Sequence, residues 1–218
     1  MPSPSMRYAF TNNWFDKHVE IWKEMLAYYK PSKVLEIGSY EGRSATFVID
    51  QIAHARDLVL HCVDTWEGGI EHGNQGFFDL NNTTAKGMHE VERRFKENIS
   101  KSIAAASHKV DLSIHKGLSS IELSKLISSG LSGYFDMVYV DGSHQAEDVL
   151  LDAVLAFQLT AKGGLIIFDD YTWQEPSPGG ADPLRCPKIA IDSFTNIYSK
   201  SIRLNDRVPL YQIMVNKC

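Results

Sequence analysis

The stretch Val34-Leu35-Glu36-Ile37-Gly38-Ser39-Tyr40-Glu41-Gly42-Arg43-Ser44 constrains this chain more than any other. A short apolar run carrying one acid passes directly into two glycines four residues apart, then into an apolar-periodic segment. That pattern reads as a buried strand, a tight turn and the start of a helix. Glycine in such a turn lets the backbone approach a ligand closely, and the helix N-terminus offers N–H groups that lack intrahelical partners. A dinucleotide fold would carry Gly-x-Gly-x-x-Gly and seat a pyrophosphate on that helix. Here the spacing is Gly38-x-x-x-Gly42, and Glu36 puts a negative charge near the place a pyrophosphate would take. A carboxylate repels a diphosphate and attracts an ammonium group. The turn therefore suits a zwitterionic ligand and disfavours a nicotinamide-dependent oxidoreductase.

A chain of 218 residues is long enough for one α/β domain with a sizeable core and too short for two ordinary ones. The expected organisation is a single domain over 1–218, with residues 1–31 as an N-terminal helical extension and 32–218 as the core. The formal net charge of −5 argues against nucleic acid and against an anionic membrane surface, so the expected partner is a small-molecule acceptor. No apolar run approaches the ~20 residues of a membrane span. Met1 to Ser5 lacks the charged and apolar regions of a secretory leader, so a cytoplasmic protein is expected. Cys62, Cys186 and Cys218 are far apart and odd in number, which suggests neither a disulfide framework nor a Cys-x-x-Cys site.

Taken in order, Trp14, His18, Ile21, Trp22, Met25, Leu26 and Tyr29 fall on one helical face between Thr11 and Lys30. That face packs within the chain or, alternatively, across the two-fold axis of a homo-oligomer. A helix from Gly42 to about Arg56 follows the glycine turn, and strand two, Leu58 to Val63, ends on Asp64. An acid ~20 residues past the turn, at a strand's carboxyl end, is placed to accept bonds from ribose hydroxyls. Residues 67–87, with Phe77 and Phe78, are either a lid or a disordered segment. A charged amphipathic helix, Met88 to Ala106, leads to strand three, Val110 to Ile114. Gly117 to Ser120 is then either an adenine-contacting turn or a plain helix cap.

Strand four, Phe135 to Val140, delivers Asp141-Gly142-Ser143-His144 to the same edge, and strand five, Gly164 to Phe168, delivers Asp169-Asp170-Tyr171. Helices are expected over Gln145–Gln158 and Pro187–Ser199, and the last two strands, 201–205 and 210–215, form an antiparallel hairpin through an Asp206-Arg207 turn. Alternating strands and helices imply a doubly wound, Rossmann-like α/β sheet of seven strands, mostly parallel with an antiparallel C-terminal strand. Crowded carboxylates raise one another's pKa unless a cation neutralises them, and oxygen-only ligands suit Mg²⁺. Asp141, Asp169 and Asp170 are the candidate metal ligands; the alternative is that they cap helices or contact cofactor without a metal. His144, near its ordinary pKa of about 6.5, is the leading general base.

Glu36-x-Gly38-x-x-x-Gly42 after strand one resembles the first motif of the class I S-adenosylmethionine-dependent methyltransferases. Asp141-Gly-Ser-His144 and Asp169-Asp170-Tyr171 look like the metal-dependent O-methyltransferases that act on sugars of natural products. The catechol type is similar too, but has lysine and asparagine where this chain has His144 and Asp170. The resemblance spans roughly Lys33 to Val215. It implies S-adenosylmethionine as cofactor, held by Glu36, Gly38, Ser39, Tyr40, Gly42 and Ser44 of the first turn. Asp64, Thr65, Trp66, Gly117, Ser119 and Asp141 complete that set. It also implies methyl transfer to a hydroxyl of a sugar or diol-like acceptor, with Asp141 and His144 catalytic and Mg²⁺ assisting. A scaffold that binds the cofactor without catalysis is the non-enzymatic alternative.

Overall fold

The computed structural model describes residues 7–69, 87–175, 180, 182–205 and 210–218. Strands β1 (Lys33–Ile37), β2 (Leu58–Asp64), β3 (Val110–Lys116), β4 (Phe135–Val140), β5 (Thr160–Phe168), β6 (Ile202–Leu204) and β7 (Ile213–Lys217) form one sheet. Their order is β3-β2-β1-β4-β5-β7-β6, a mostly parallel Rossmann-like arrangement. β1 pairs with β4 in parallel, Ile37 opposite Val140, and β4 pairs with β5, Val140 opposite Phe168. β7 runs against both its neighbours, with Ile213 opposite Phe168 of β5 and Val215 opposite Leu204 of β6. The short link from Asn205 to Gln212 forces that reversal, since parallel neighbours need a crossover of a dozen or more residues. Its expected Asp206-Arg207 turn lies outside the described residues. The order places a topological switch point between β1 and β4, where doubly wound sheets open a crevice at the strands' carboxyl ends.

The chain divides into two compact units. The first comprises residues up to Ser32, Ser39–Leu60 and Thr65–Ser113. It holds a 3₁₀ turn (Trp14–His18) and helices α1 (Val19–Tyr29), α2 (Arg43–Ile52) and α3 (Met88–Ala104). The uniform helix expected from Thr11 to Lys30 is thus a 3₁₀ turn joined to a shorter α-helix. The tighter turn rotates each residue by about 120°, so Phe15 faces inward and Trp14 is left exposed. Phe15 meets Trp22 edge-on at 4.9 Å and Phe47 at 5.3 Å. α1 stops where Lys30 turns left-handed, ahead of Pro31.

The second unit comprises Lys33–Gly38, His61–Asp64 and Ile114–Cys218, with helices α4 (Ser119–Ser128), α5 (Ala146–Leu159) and α6 (Pro187–Ile197). Leu35, Val138, Ile166, Ala153, Phe194 and Val215 belong to one continuous core. β4 is buried at Phe135, Met137, Val138, Tyr139 and Val140. Burial of four consecutive residues, Met137 to Val140, is what a central parallel strand covered on both faces requires. On β7, Lys217 donates to the carbonyls of Phe157 and Thr160 at 2.7 and 2.8 Å, satisfying acceptors at the C-terminus of α5. Among the described residues no helix is long and apolar enough to cross a membrane.

Candidate active site

The carboxyl ends of the strands in the second unit are laced together by the backbone. Asp141 N donates to Ile37 O (2.8 Å), Asp169 N to Val140 O (3.0 Å), Gly38 N to Val63 O (2.8 Å) and Gly117 N to Asp64 O (3.0 Å). Glu36, Gly38, Asp64, Gly117, Asp141 and Asp169 are thereby fixed at one edge. Gly38 has a φ of +86°, and a Cβ built on it would stand 2.0 Å from Asp141 O. Only glycine fits, because the two turns cross at backbone contact. Glu36 is buried, and its charge acts on Asp141.

Around Asp141 lies a cluster absent from the expectations above. The hydroxyl of Tyr139 is 3.0 Å from Asp141 Oδ2 and also in hydrogen-bond contact with Asp169 Oδ2. Asp169 Oδ2 accepts in addition from Gln212 Nε2 (3.1 Å), and Asp169 Oδ1 accepts from Asp170 N (2.7 Å). A phenol has one hydrogen to give, so two carboxylates around it are satisfied together only when the cluster holds a further proton. Burial, then the charges of Asp169 and Asp170, hold Asp141 well above the ordinary carboxylate range. Asp169 is raised by burial and by Asp170, but its hydrogen bonds to Tyr139, Asp170 N and Gln212 oppose the rise. Tyr139 itself is pushed up by burial and by these acids, so it stays a donor.

Folded Asp141 and Asp169 retain protons at pH values where the unfolded chain, titrating near 4, has lost them. Their contribution to stability is full at low pH and is lost as pH rises through their raised values. The expected result is a melting temperature that falls as pH rises from about 4 through about 6, with a smaller fall in Asp141→Asn, measured by thermal denaturation.

His144 Nε2 lies 3.0 Å from Asp170 Oδ2, and its ring stacks on Trp173 at 4.0 Å and 19°. Asp170 adopts a left-handed φ of 54°, a strained state for a non-glycine residue and one that clusters at functional sites. Tyr211 is hydrogen-bonded to the same carboxylate. Sequence alone paired His144 with Asp141; the structure gives it Asp170.

Asp141, Asp169 and Asp170, the candidate metal ligands, make contacts to protein groups. Among the described residues no group of three His, Cys, Asp or Glu side chains is arranged to hold a metal ion. The oxygens that would do so are turned to protein partners: Asp141 and Asp169 to Tyr139, Asp169 also to Gln212, and Asp170 to His144.

In the first unit, Gly42 N donates to Ser39 O (2.7 Å) and Gly42, with a φ of +76°, starts α2. Trp66 Nε1 donates to Tyr40 O (2.9 Å), and both residues have positive φ. Trp66 packs on Phe95, and Thr65 Oγ1 accepts from Glu67 N (3.1 Å). Ser39 and Ser44 are buried. Gly42 is thus tied to Ser39, and Trp66 to Tyr40, by hydrogen bonds. Phe77, Phe78 and most of the 67–87 segment lie outside the described residues. So do residues 176–179 of the proline- and glycine-rich loop.

A family model described as a methyltransferase domain matches residues 35–171, more than half of the chain. The chain belongs to that family. Among solved structures, this methyltransferase is similar to the O-methyltransferase TomG of Streptomyces achromogenes, involved in tomaymycin synthesis and solved with SAM. The identity is 15%, over 92% of this chain and 79% of that one, with a TM-score of 0.62. An O-methyltransferase from Bacillus cereus, solved with SAH, matches at 14% identity, 92% and 81% coverage and a TM-score of 0.60. A putative caffeoyl-CoA O-methyltransferase from Staphylococcus aureus matches at 12%, 98% and 88%, and 0.62. Comparison with curated proteins gives no match. At these identities the structures establish the methyltransferase's fold, while its activity rests on the site.

Proposed function

We propose that this methyltransferase transfers a methyl group from S-adenosylmethionine to a hydroxyl of a small sugar or diol-like molecule. The observation that carries the reading is the His144–Asp170 pair, standing at the strand ends with the hydrogen-bonded Asp141–Tyr139–Asp169 cluster. The family match and the SAM- and SAH-bound relatives support the cofactor. Buried Glu36 supplies the negative charge for the cofactor's ammonium group, and Asp64 at the end of β2 supplies an acceptor for its ribose. Gly38 gives the bare backbone that such a ligand can approach.

Methyl transfer to a hydroxyl needs the proton removed as the carbon–oxygen bond forms. Asp170 stabilises the imidazolium of His144, and Trp173 presents a ring face that favours the same cation. The acceptor's proton is taken up by the His144–Asp170 pair, whose carboxylate holds the resulting imidazolium. The acceptor oxygen attacks the sulfonium methyl in line, that carbon–sulfur bond breaks, and S-adenosylhomocysteine leaves as the neutral thioether. Holding the two reactants in line supplies much of the acceleration.

A divalent cation on Asp141, Asp169 and Asp170 is the second reading. One observation favours it: burial raises Asp141 and Asp169 together, an imbalance that a cation would relieve. Incubation of methyl-labelled S-adenosylmethionine with a panel of sugars, diols and catechols, with EDTA or with Mg²⁺, separates the two. The first reading expects labelled product at the same rate in both. Product that vanishes in EDTA and returns with Mg²⁺ selects the second, and no product under any condition leaves the non-catalytic alternative.

A further inference from the structure

α5 buries one acid that the chemistry above does not use. Asp152 is 1% exposed, on a helix whose other buried positions are apolar. Its Oδ1 is enclosed without a hydrogen-bond partner. The carboxyl is bonded to the hydroxyl of Ser119, the first residue of α4. Its Oδ2 faces Gly142, where a built Cβ would be 3.5 Å from it and 3.9 Å from Gly38 N. One carboxyl therefore lies against the start of α4 and the β4–α5 turn, just behind the β1 turn. Those three segments carry Ser119, Asp141 and Gly38. An alanine or valine would fill this place without the desolvation cost of a half-satisfied acid. The geometry calls for a role that an apolar residue could not fill.

Burial pushes Asp152 up to about 7, the bond from Ser119 opposes the rise, and the charge of Asp148, one turn earlier on α5, adds to it. The groups facing it are Ser119 from α4, Gly142 and Gly38 from the two turns, and Ile37 from β1. Asp148 is the charge acting on it, and its own carboxylate accepts from Ser143 Oγ at 2.9 Å. The ionised carboxylate is the form that fixes the Ser119 hydroxyl as a donor.

We propose that Asp152 is a positioning residue for the cofactor: its carboxylate holds Ser119 and the Gly142 turn in the arrangement that receives the S-adenosyl ligand. The inference rests on the cofactor reading above. The test is calorimetric titration of S-adenosylhomocysteine into wild type, Asp152→Asn and Ser119→Ala, at about pH 8 and about pH 6, with folding checked by thermal melting. Wild type is expected to bind about tenfold more weakly at the lower pH, the effect of one unit of linked ionisation. Asp152→Asn should bind about tenfold more weakly than wild type at the higher pH, with no further loss at the lower, and with kcat at saturating cofactor unchanged. Ser119→Ala should reproduce the weakening, and it carries the test if Asp152→Asn does not fold. Wild-type affinity and pH dependence in a folded Asp152→Asn, or wild-type affinity in Ser119→Ala, would overturn the proposal. If wild type binds at neither pH, the cofactor reading fails and this one with it.

Discussion

Replacing His144 with alanine is expected to lower kcat by about 10²–10⁴-fold, the usual worth of a positioned general base, and to leave S-adenosylhomocysteine affinity unchanged. The division follows from the contacts. His144 touches Asp170 and Trp173, whereas the carboxylates assigned to the cofactor, Glu36 and Asp64, belong to β1 and β2. Asp170→Asn should lower kcat in the same direction, because an amide cannot stabilise the imidazolium as a carboxylate does. Steady-state kinetics and calorimetry on the same preparations measure both quantities. A His144→Ala enzyme that keeps wild-type kcat would remove the base from the mechanism. One that loses the cofactor instead would reassign His144 to binding.

The second large effect is on stability. Glu41 is 1% exposed and accepts from Arg94 Nε (2.6 Å), Thr11 Oγ1 (2.7 Å) and Thr11 N (2.7 Å). Asn98 Nδ2 donates to the Glu41 carbonyl and to Ala9 O, both at 3.0 Å, and Tyr8 OH donates to Asp50. Residues 7–11 are thus strapped over α2 and α3 by charged and amide groups. Removing one partner of a buried ion pair leaves the other charge uncompensated, which costs about 3–5 kcal/mol. For a chain of this length Glu41→Ala should therefore melt lower by about 6–20 °C. The exposed Glu20–Lys23 pair is the control, and its removal should hardly move the transition. A shift for Glu41→Ala as small as the control's would mean that the Glu41–Arg94 pair is worth no more than a surface one.

The parts of the fold that could be read from sequence were those with a local cause. β1, β4 and β5 are apolar runs bounded by glycine or acid, and each lies within a residue or two of its expected carboxyl end, which is why Glu36, Asp141 and Asp169 fall where expected. Gly38 and Gly42 announced their positive φ by being glycines. The rest depended on register or on long-range contact. Tyr139 looked like one more core residue in strand four; its position two before Asp141 puts it on the same strand face, a signal that could have been used. Gln212 reaches Asp169 only because β7 reverses beside β5. Arg94 belongs to a helix legible from sequence only as charged and amphipathic, and nothing local ties it to Glu41, 53 residues away. Asp170 was grouped with its neighbour by sequence, but its left-handed backbone aims it at His144.

The most direct test of the central claim is calorimetric titration of S-adenosylhomocysteine into the purified protein, with Asp64→Ala beside it. Wild type is expected to bind saturably at one to one, and a folded Asp64→Ala to lose much of that affinity. No binding by a folded wild-type protein would contradict it.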